Sequence, residues 1–310
     1  MRRLWLIAIL TLRCAGYELT GRIEPAAAVP VYLHGATSPF ETSTVSGSDG
    51  RFRFRKLDAG AYMLAVSTGT RGEAIQTVEL TPGTVDAKGR LDLVFRIDDR
   101  RLESDKGRPA GATVSARILS IPDSAIKEYR AAQRCLSRHD ADGASSHLSR
   151  AVEIAPQFAT AWNQLGTMAY QSGRYDEAEA KFRRALEADP DAFEPLVNLG
   201  GVLLTLRSHQ EAVDYNQRAV TRRPNDALAN AQLGFSYLDV NELDQAEKYL
   251  KIAVEIDPAH FSHPQLGLAV IYIKRGERSS ALEALQSFLE RHPDSPRAAG
   301  VRREIAELSR

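Results

Sequence analysis

Between residues 125 and 293 the apolar positions recur at helical spacing in short paired runs, and the pairs repeat. In the clearest copy, Trp162, Leu165, Ala169 and Tyr170 form one stripe, Gly173 and Tyr175 mark a turn, and Ala178, Phe182, Ala185 and Leu186 form a second stripe. Each pair ends at a proline. Pro156, Pro190, Pro224 and Pro258 are 34 residues apart, and Pro293 follows after 35. Proline lacks the amide hydrogen that a continuing helix needs and disfavours helical geometry at the residue before it. The pattern therefore predicts short helices that stop so that the next pair can turn back and stack. Leu196, Leu199, Gly200, Leu203, Ala212 and Ala219 match in the next copy, and Leu233, Gly234, Tyr237, Ala246, Leu250 and Ala253 in the one after. Leu268, Ala269, Tyr272, Gly276, Ala281 and Leu285 follow with one added residue, while Ala131, Ala132, Cys135, Ala144, Leu148 and Ala151 make a degenerate first copy. Asn216 stands where a bulky apolar residue is usual, which predicts loose packing there. Residues 294–310 read as a polar capping helix with a Ser-Pro start at Ser295-Pro296.

Residues 17–98 change period. Short runs alternate apolar and polar positions between clusters of Gly, Pro, Asp and Ser, the pattern of a small antiparallel sandwich. Asp49-Gly50 predicts a tight turn, after which Phe52 and Phe54 point inward and Arg51, Arg53 and Arg55 face solvent beside Lys56. Tyr62 reads as core, and Tyr17, Tyr32 and Phe40 as surface aromatics. Residues 99–123 read as a charged linker with a short strand at Val114–Leu119, followed by Asp123 or Ser124 as the cap of the first array helix. The fold class is thus multidomain, an N-terminal all-β sandwich followed by an all-α superhelix.

The 34-residue unit resembles the tetratricopeptide repeat, whose pattern includes W-x2-L-G-x2-Y, A-x3-F and a terminal proline. The resemblance divides 124–293 into five repeats, 125–156, 157–190, 191–224, 225–258 and 259–293. It implies a superhelix whose first helices line a concave groove for a protein or peptide partner. Groove positions carried over from the family are Tyr129, Gln133, Asn163, Thr167, Tyr170, Val197, Leu204, Ala231, Phe235, Leu266 and Val270. The basic clamp that chaperone-binding members use is absent at these positions, with Lys274 the only basic residue expected near them. The stretch from Asp49 to Leu64 resembles the carboxypeptidase regulatory-like domain, a non-catalytic transthyretin-like sandwich grouped with carbohydrate-binding-like folds. That resemblance implies a rigid module that spaces or docks the array, with glycan binding as the alternative.

Gln164, Asn198 and Gln232 are also 34 apart, each just before a Leu-Gly pair. Such a column can pair with a peptide backbone, because an amide both donates and accepts. It is similar to the amide ladder in the repeat arm of O-GlcNAc transferases. Polar residues facing water are the other reading of the same column, and Arg130 and Gly267 end it.

Composition changes the picture little. Apolar residues at 43% and charged residues at 26% fit a soluble globular chain. Lys plus Arg equals Asp plus Glu at 40 each, which argues against a nucleic-acid partner. The first 16 residues matter more. Arg2 and Arg3, an uncharged run from Leu4 to Leu12, then Cys14, Ala15 and Gly16 follow the order of a secretory signal peptide, with cleavage expected after Gly16. The run is far shorter than the ~20 residues a membrane-spanning helix needs. The expected location is periplasmic or secreted. The alternative is a membrane tether, by an uncleaved segment or by lipidation at Cys14, where Arg13 departs from the lipidation motif. Signal removal leaves Cys135 alone, excluding an internal disulfide, and its apolar helix position makes it a small core residue rather than a nucleophile beside His139.

No phosphate-binding loop, nucleophile elbow or paired-cysteine motif is present, so no enzyme activity and no cofactor are expected. His260 and His263 lie in an inter-repeat turn and read as solvated rather than as metal ligands. Asp140–Gly143 resembles the start of a calcium loop but lacks the later Glu.

Overall fold

The computed structural model describes residues 16–68, 73–97 and 121–310. The signal-like segment and the strand expected at Val114–Leu119 lie outside the described residues.

Seven strands form the first unit: β1 (Tyr17–Glu24), β2 (Pro30–Gly35), β3 (Glu41–Val45), β4 (Arg51–Leu57), β5 (Gly60–Ser67), β6 (Glu73–Leu80) and β7 (Arg90–Arg96). They build two sheets, ordered β4-β1-β7 and β3-β2-β5-β6. The expectation of a purely antiparallel sandwich is corrected at one pair, because β1 and β7 run parallel. Alternation works as the sequence predicts in β4, where Phe52 and Phe54 are buried and Arg51, Arg53 and Arg55 are exposed. Those arginines have carboxylate neighbours, with Arg53 on Glu18 and Arg51 on Asp49. Gly50 is required in the preceding turn, since φ is +78° and a Cβ would lie 2.6 Å from the Ile23 carbonyl. Tyr62 is core, its hydroxyl donating to the Asp58 carbonyl at 2.9 Å. Phe40 is not the surface aromatic expected. It is buried at one end of the sandwich and stacks on His139 of the array at 4.7 Å.

Eleven helices follow among the described residues: α1 (Asp123–Leu136), α2 (Ala141–Ile154), α3 (Ala159–Gln171), α4 (Tyr175–Ala188), α5 (Phe193–Thr205), α6 (His209–Arg222), α7 (Ala227–Asp239), α8 (Leu243–Ile256), α9 (Pro264–Arg275), α10 (Arg278–Arg291) and α11 (Ala298–Leu308). Their apolar stripes merge across repeats, so that Phe182 of α4 packs in one cluster with Leu196, Leu199 and Leu203 of α5. Gly166 lets α3 and α4 cross, since a Cβ there would meet the Phe182 ring at 2.5 Å. Neither expected cap holds: α1 begins after Pro122 with no side-chain cap, and α11 starts at Ala298, two residues after the Ser-Pro pair. Asp140 caps α2, its Oδ1 accepting from Gly143 N at 2.9 Å.

Two backbone features repeat with the array. The turn inside each pair carries a left-handed residue at His139, Gly173, Arg207, Asn241 and Gly276, only two of them glycine. The residue that ends each second helix and precedes the period-marking proline is Ala155, Asp189, Arg223, Asp257 and His292, extended at ψ between 58° and 94°. Asn216 does not loosen its repeat as the sequence suggested. It is fully buried, donates to Ser236 Oγ at 2.9 Å, and sits where a Cβ on Gly200 would lie 1.9 Å from its oxygen.

Candidate peptide-binding groove

The outer face of the β3-β2-β5-β6 sheet turns toward the array. Along β6 the alternation buries Val78 and Leu80 in the sandwich, so Ile75, Thr77 and Glu79 point the other way. Thr77 is nonetheless 3% exposed, because the array covers it. Polar contacts tie the units along most of the array. Gln133 of α1 donates to Glu41 at 3.4 Å, and Gln171 of α3 donates to the Gly35 carbonyl at 3.3 Å. Asp257 accepts from Thr77 N at 2.8 Å, and His292 Nδ1 meets Glu79 Oε1 at 2.6 Å. Asp294 accepts from Thr81 Oγ1 at 2.8 Å and from Gly83 N at 2.6 Å.

Between sheet and array lies a cavity of about 760 Å³, within the range of ligand sites. Its array wall holds Asn163, Gln164, Thr167, Tyr170, Val197, Asn198 and Gln232, which the sequence placed in the groove. Tyr129 does not line the cavity and packs on Phe158 at 5.2 Å. Its hydroxyl is pushed up to about 12 by burial, with Glu41 and Glu194 adding to the shift. Leu204, Ala231, Phe235, Leu266 and Val270 do not line this cavity. Ala231 is fully buried, Phe235 packs against Gly267, Leu204 and Leu266 pack against core clusters, and Val270 is exposed elsewhere. Val197, though at the wall, is only 4% exposed.

The amide column is not uniform. Asn198 is engaged within the array, donating to Asn163 Oδ1 at 3.0 Å and approaching Thr167 Oγ1 at 3.4 Å. Gln232 keeps a buried Oε1 with no partner among the described residues. Sequence reasoning missed the pre-proline column altogether. Arg223 lines the cavity, stacks its guanidinium over Phe193 at 4.1 Å and pairs with Glu194 at 2.9 Å, so Lys274 is not the only basic residue near the groove. Arg291 lines it too. Polar residues at Arg223, Asp257 and His292, each just before a period-marking proline, were the available signal.

The turn histidines are also corrected. His260 is 3% exposed, and its imidazole is held down at about 3 by burial, with His263 and His292 adding to the effect. His263 is held at about 4, again mainly by burial, and its ring meets that of His292 at 4.4 Å. The His260 ring packs on Phe261 at 4.4 Å, and no group of three metal-ligating side chains is found among the described residues. Cys135 packs beside the first core cluster, and burial pushes its thiol up.

These features define a stacked helix-pair scaffold with a β module docked against it. The array belongs to the tetratricopeptide-repeat family: models of that repeat match residues 129–193, 170–227 and 237–305, together more than half of the chain. The anaphase-promoting complex subunit CDC16 of Saccharomyces cerevisiae is 28% identical over 179 residues, 56% of this chain and 21% of that protein. The protein O-mannosyl-transferase Tmtc3 of Drosophila melanogaster is 28% identical over 142 residues, 46% of this chain and 15% of that one. This chain spans about a fifth of the length of such curated relatives. PilF from Pseudomonas aeruginosa overlays with a TM-score of 0.52 at 21% identity, covering 63% of this chain and 86% of that one, which shows a shared fold. Repeats of this family act as protein–protein interaction scaffolds.

Proposed function

We propose that this protein is a non-catalytic interaction scaffold of the cell envelope or exterior, holding a partner's peptide segment in the cavity between sheet and array. The observation that carries this reading is the cavity wall itself. Gln164, Asn198 and Gln232 lie beside apolar Phe193 and Val197, and the Gln232 carbonyl is buried without a partner. Buried polar atoms are normally satisfied, so one left open on a ligand-sized cavity suits a binding surface. The envelope location rests on the charged, apolar and small-residue order of residues 2–16, with a tether through that segment or Cys14 as its variant. The five repeats and the regulatory-like sandwich are the domain assignment that goes with this reading. Of the three aromatics the glycan alternative would use, Phe40 is buried and unable to stack on a sugar, which leaves Tyr17 and Tyr32.

The test is site-specific photo-crosslinking in cells. A photoreactive residue at Gln164 or Tyr170 is expected to trap a partner protein, and one at Glu187 on the outer helix α4 is not. Crosslinks from Glu187 alone overturn the groove assignment. Protease accessibility in intact and permeabilised cells checks the location.

A further inference from the structure

Among the described residues β6 is the outer strand of its sheet and pairs only with β5. The Thr77 N–H points away from β5, because Asp257 Oδ2 receives it. Bond direction alternates along an antiparallel strand, so the amide and carbonyl of Ile75 and Glu79 point outward as well. The Glu79 carbonyl accepts from Thr84 Oγ1 at 2.6 Å. The N–H and carbonyl of Ile75 and the carbonyl of Thr77 have no partner among the described residues. All five residues from Glu73 to Thr77 line the cavity, whereas β5 contributes only Met63 and Ala65, on one face. β5 shows the cavity its face, and β6 shows it an edge.

Most charged groups around this edge are engaged, and Glu73 and Arg291 line the cavity besides them. Arg223 pairs with Glu194 and Arg96 with Glu24, Asp226 accepts from Ala229 N, and Asp257 accepts from Thr77 N. Without a partner among the described residues are Thr77 Oγ1 on β6, the acceptors Gln171 Oε1 and Gln232 Oε1 on the array, and one donor, Arg223 Nε. The Gln171 amide nitrogen is committed to the Gly35 carbonyl, so its oxygen can only accept. Acceptors on one wall and a free strand edge on the other match a neutral main chain that donates along both sides. A helix has no spare amides along its middle to offer such a wall.

The geometry points to strand addition: an extended, centrally uncharged segment of a partner protein lies beside β6, exchanges main-chain hydrogen bonds with Ile75, and donates across the cavity to Gln171 and Gln232. This rests on the groove reading and narrows its occupant to a strand. It also explains how an open edge is kept from indiscriminate pairing, since the array walls it in.

The experiment uses the full chain as bait for a phage-displayed library of random 12-residue peptides, and the enriched peptide, synthesised, as probe. Proline is tolerated on an edge where its missing N–H faces outward, so Ile75→Pro removes the donor without cutting the β5 ladder. Ile75→Val retains the donor. Strand addition expects at least tenfold weaker binding by Ile75→Pro, near-wild-type binding by Ile75→Val, and slowed hydrogen exchange at the Ile75 amide in the complex. A peptide that binds Ile75→Pro normally but loses affinity with Gln232→Ala overturns strand addition and leaves the groove reading standing. Peptides indifferent to both substitutions, or no enriched peptide at all, overturn both.

Discussion

Glu79 Oε1 lies 2.6 Å from His292 Nδ1, joining β6 of the sandwich to the end of α10, and His292 is fully buried. With the Asp257–Thr77 bond, this contact fixes the sheet against the array at the inter-repeat turns. Removing one partner of a buried polar pair leaves the other unsatisfied, at about 2 kcal/mol. Glu79→Ala is therefore expected to lower stability by about that amount and to loosen docking. A larger radius of gyration in small-angle scattering and faster exchange of the Thr77 amide check it. An unchanged radius with unchanged exchange argues against the contact.

His260 and His263 set a pH dependence. Both are held far below the usual 6.5, at about 3 and about 4. Above 6.5 they are neutral in folded and unfolded chains alike, so neither changes stability with pH there. As pH falls below 6.5 the unfolded chain takes up protons that the folded one refuses, and stability drops by up to about 1.4 kcal/mol per pH unit for each. The loss continues until pH reaches the folded values. Urea unfolding at pH 7 and pH 5 is expected to show a steeper decline for wild type than for His260→Gln, and parallel declines count against the burial of that ring.

Asn216 and Gly200 are expected to act as one unit. A methyl on Gly200 meets the Asn216 amide oxygen, whereas shortening Asn216 opens the space and breaks its bond to Ser236. Each single change to Ala costs about 2 kcal/mol, from overpacking in one case and a cavity with a lost hydrogen bond in the other. The double variant recovers at least about 1 kcal/mol of the sum, read from chemical denaturation as a mutant cycle. Strict additivity means the two do not touch.

Arg207 occupies a left-handed position, φ 61°, that Gly173 and Gly276 fill in other repeats. A side chain in that conformation costs about 1 kcal/mol. Arg207→Gly is expected to raise the unfolding midpoint by an equivalent amount, and a fall would place another role on the side chain.

Asn198 and Gln232 separate structure from binding within one column. Asn198→Ala breaks the bond to Asn163 and is expected to cost about 1 kcal/mol of stability. Gln232→Ala removes an oxygen that has no partner, and is expected to leave the unfolding midpoint unchanged or higher. Equal losses mean the two amides are equivalent after all. By the same packing argument, Val197→Asp and Phe235→Asp report on folding rather than on the groove.

The repeat was legible in the sequence because its determinants are local and periodic. The stripes from Trp162 to Leu186, the glycines at tight crossings and the proline every 34 residues fix two short helices and a return wherever they occur. The alternation at Phe52 and Phe54 fixed a strand for the same reason. What the chain's order left open was how two self-sufficient units meet, because Glu79 and His292 stand 213 residues apart and no period links them. Phe40 and His260, which read as surface residues one at a time, are buried in the assembled fold. Docking brought the β6 edge, Arg223 and Gln232 to one cavity. Local patterning decides which residues turn away from water within an element, whereas burial between elements depends on shapes that exist only after each has folded.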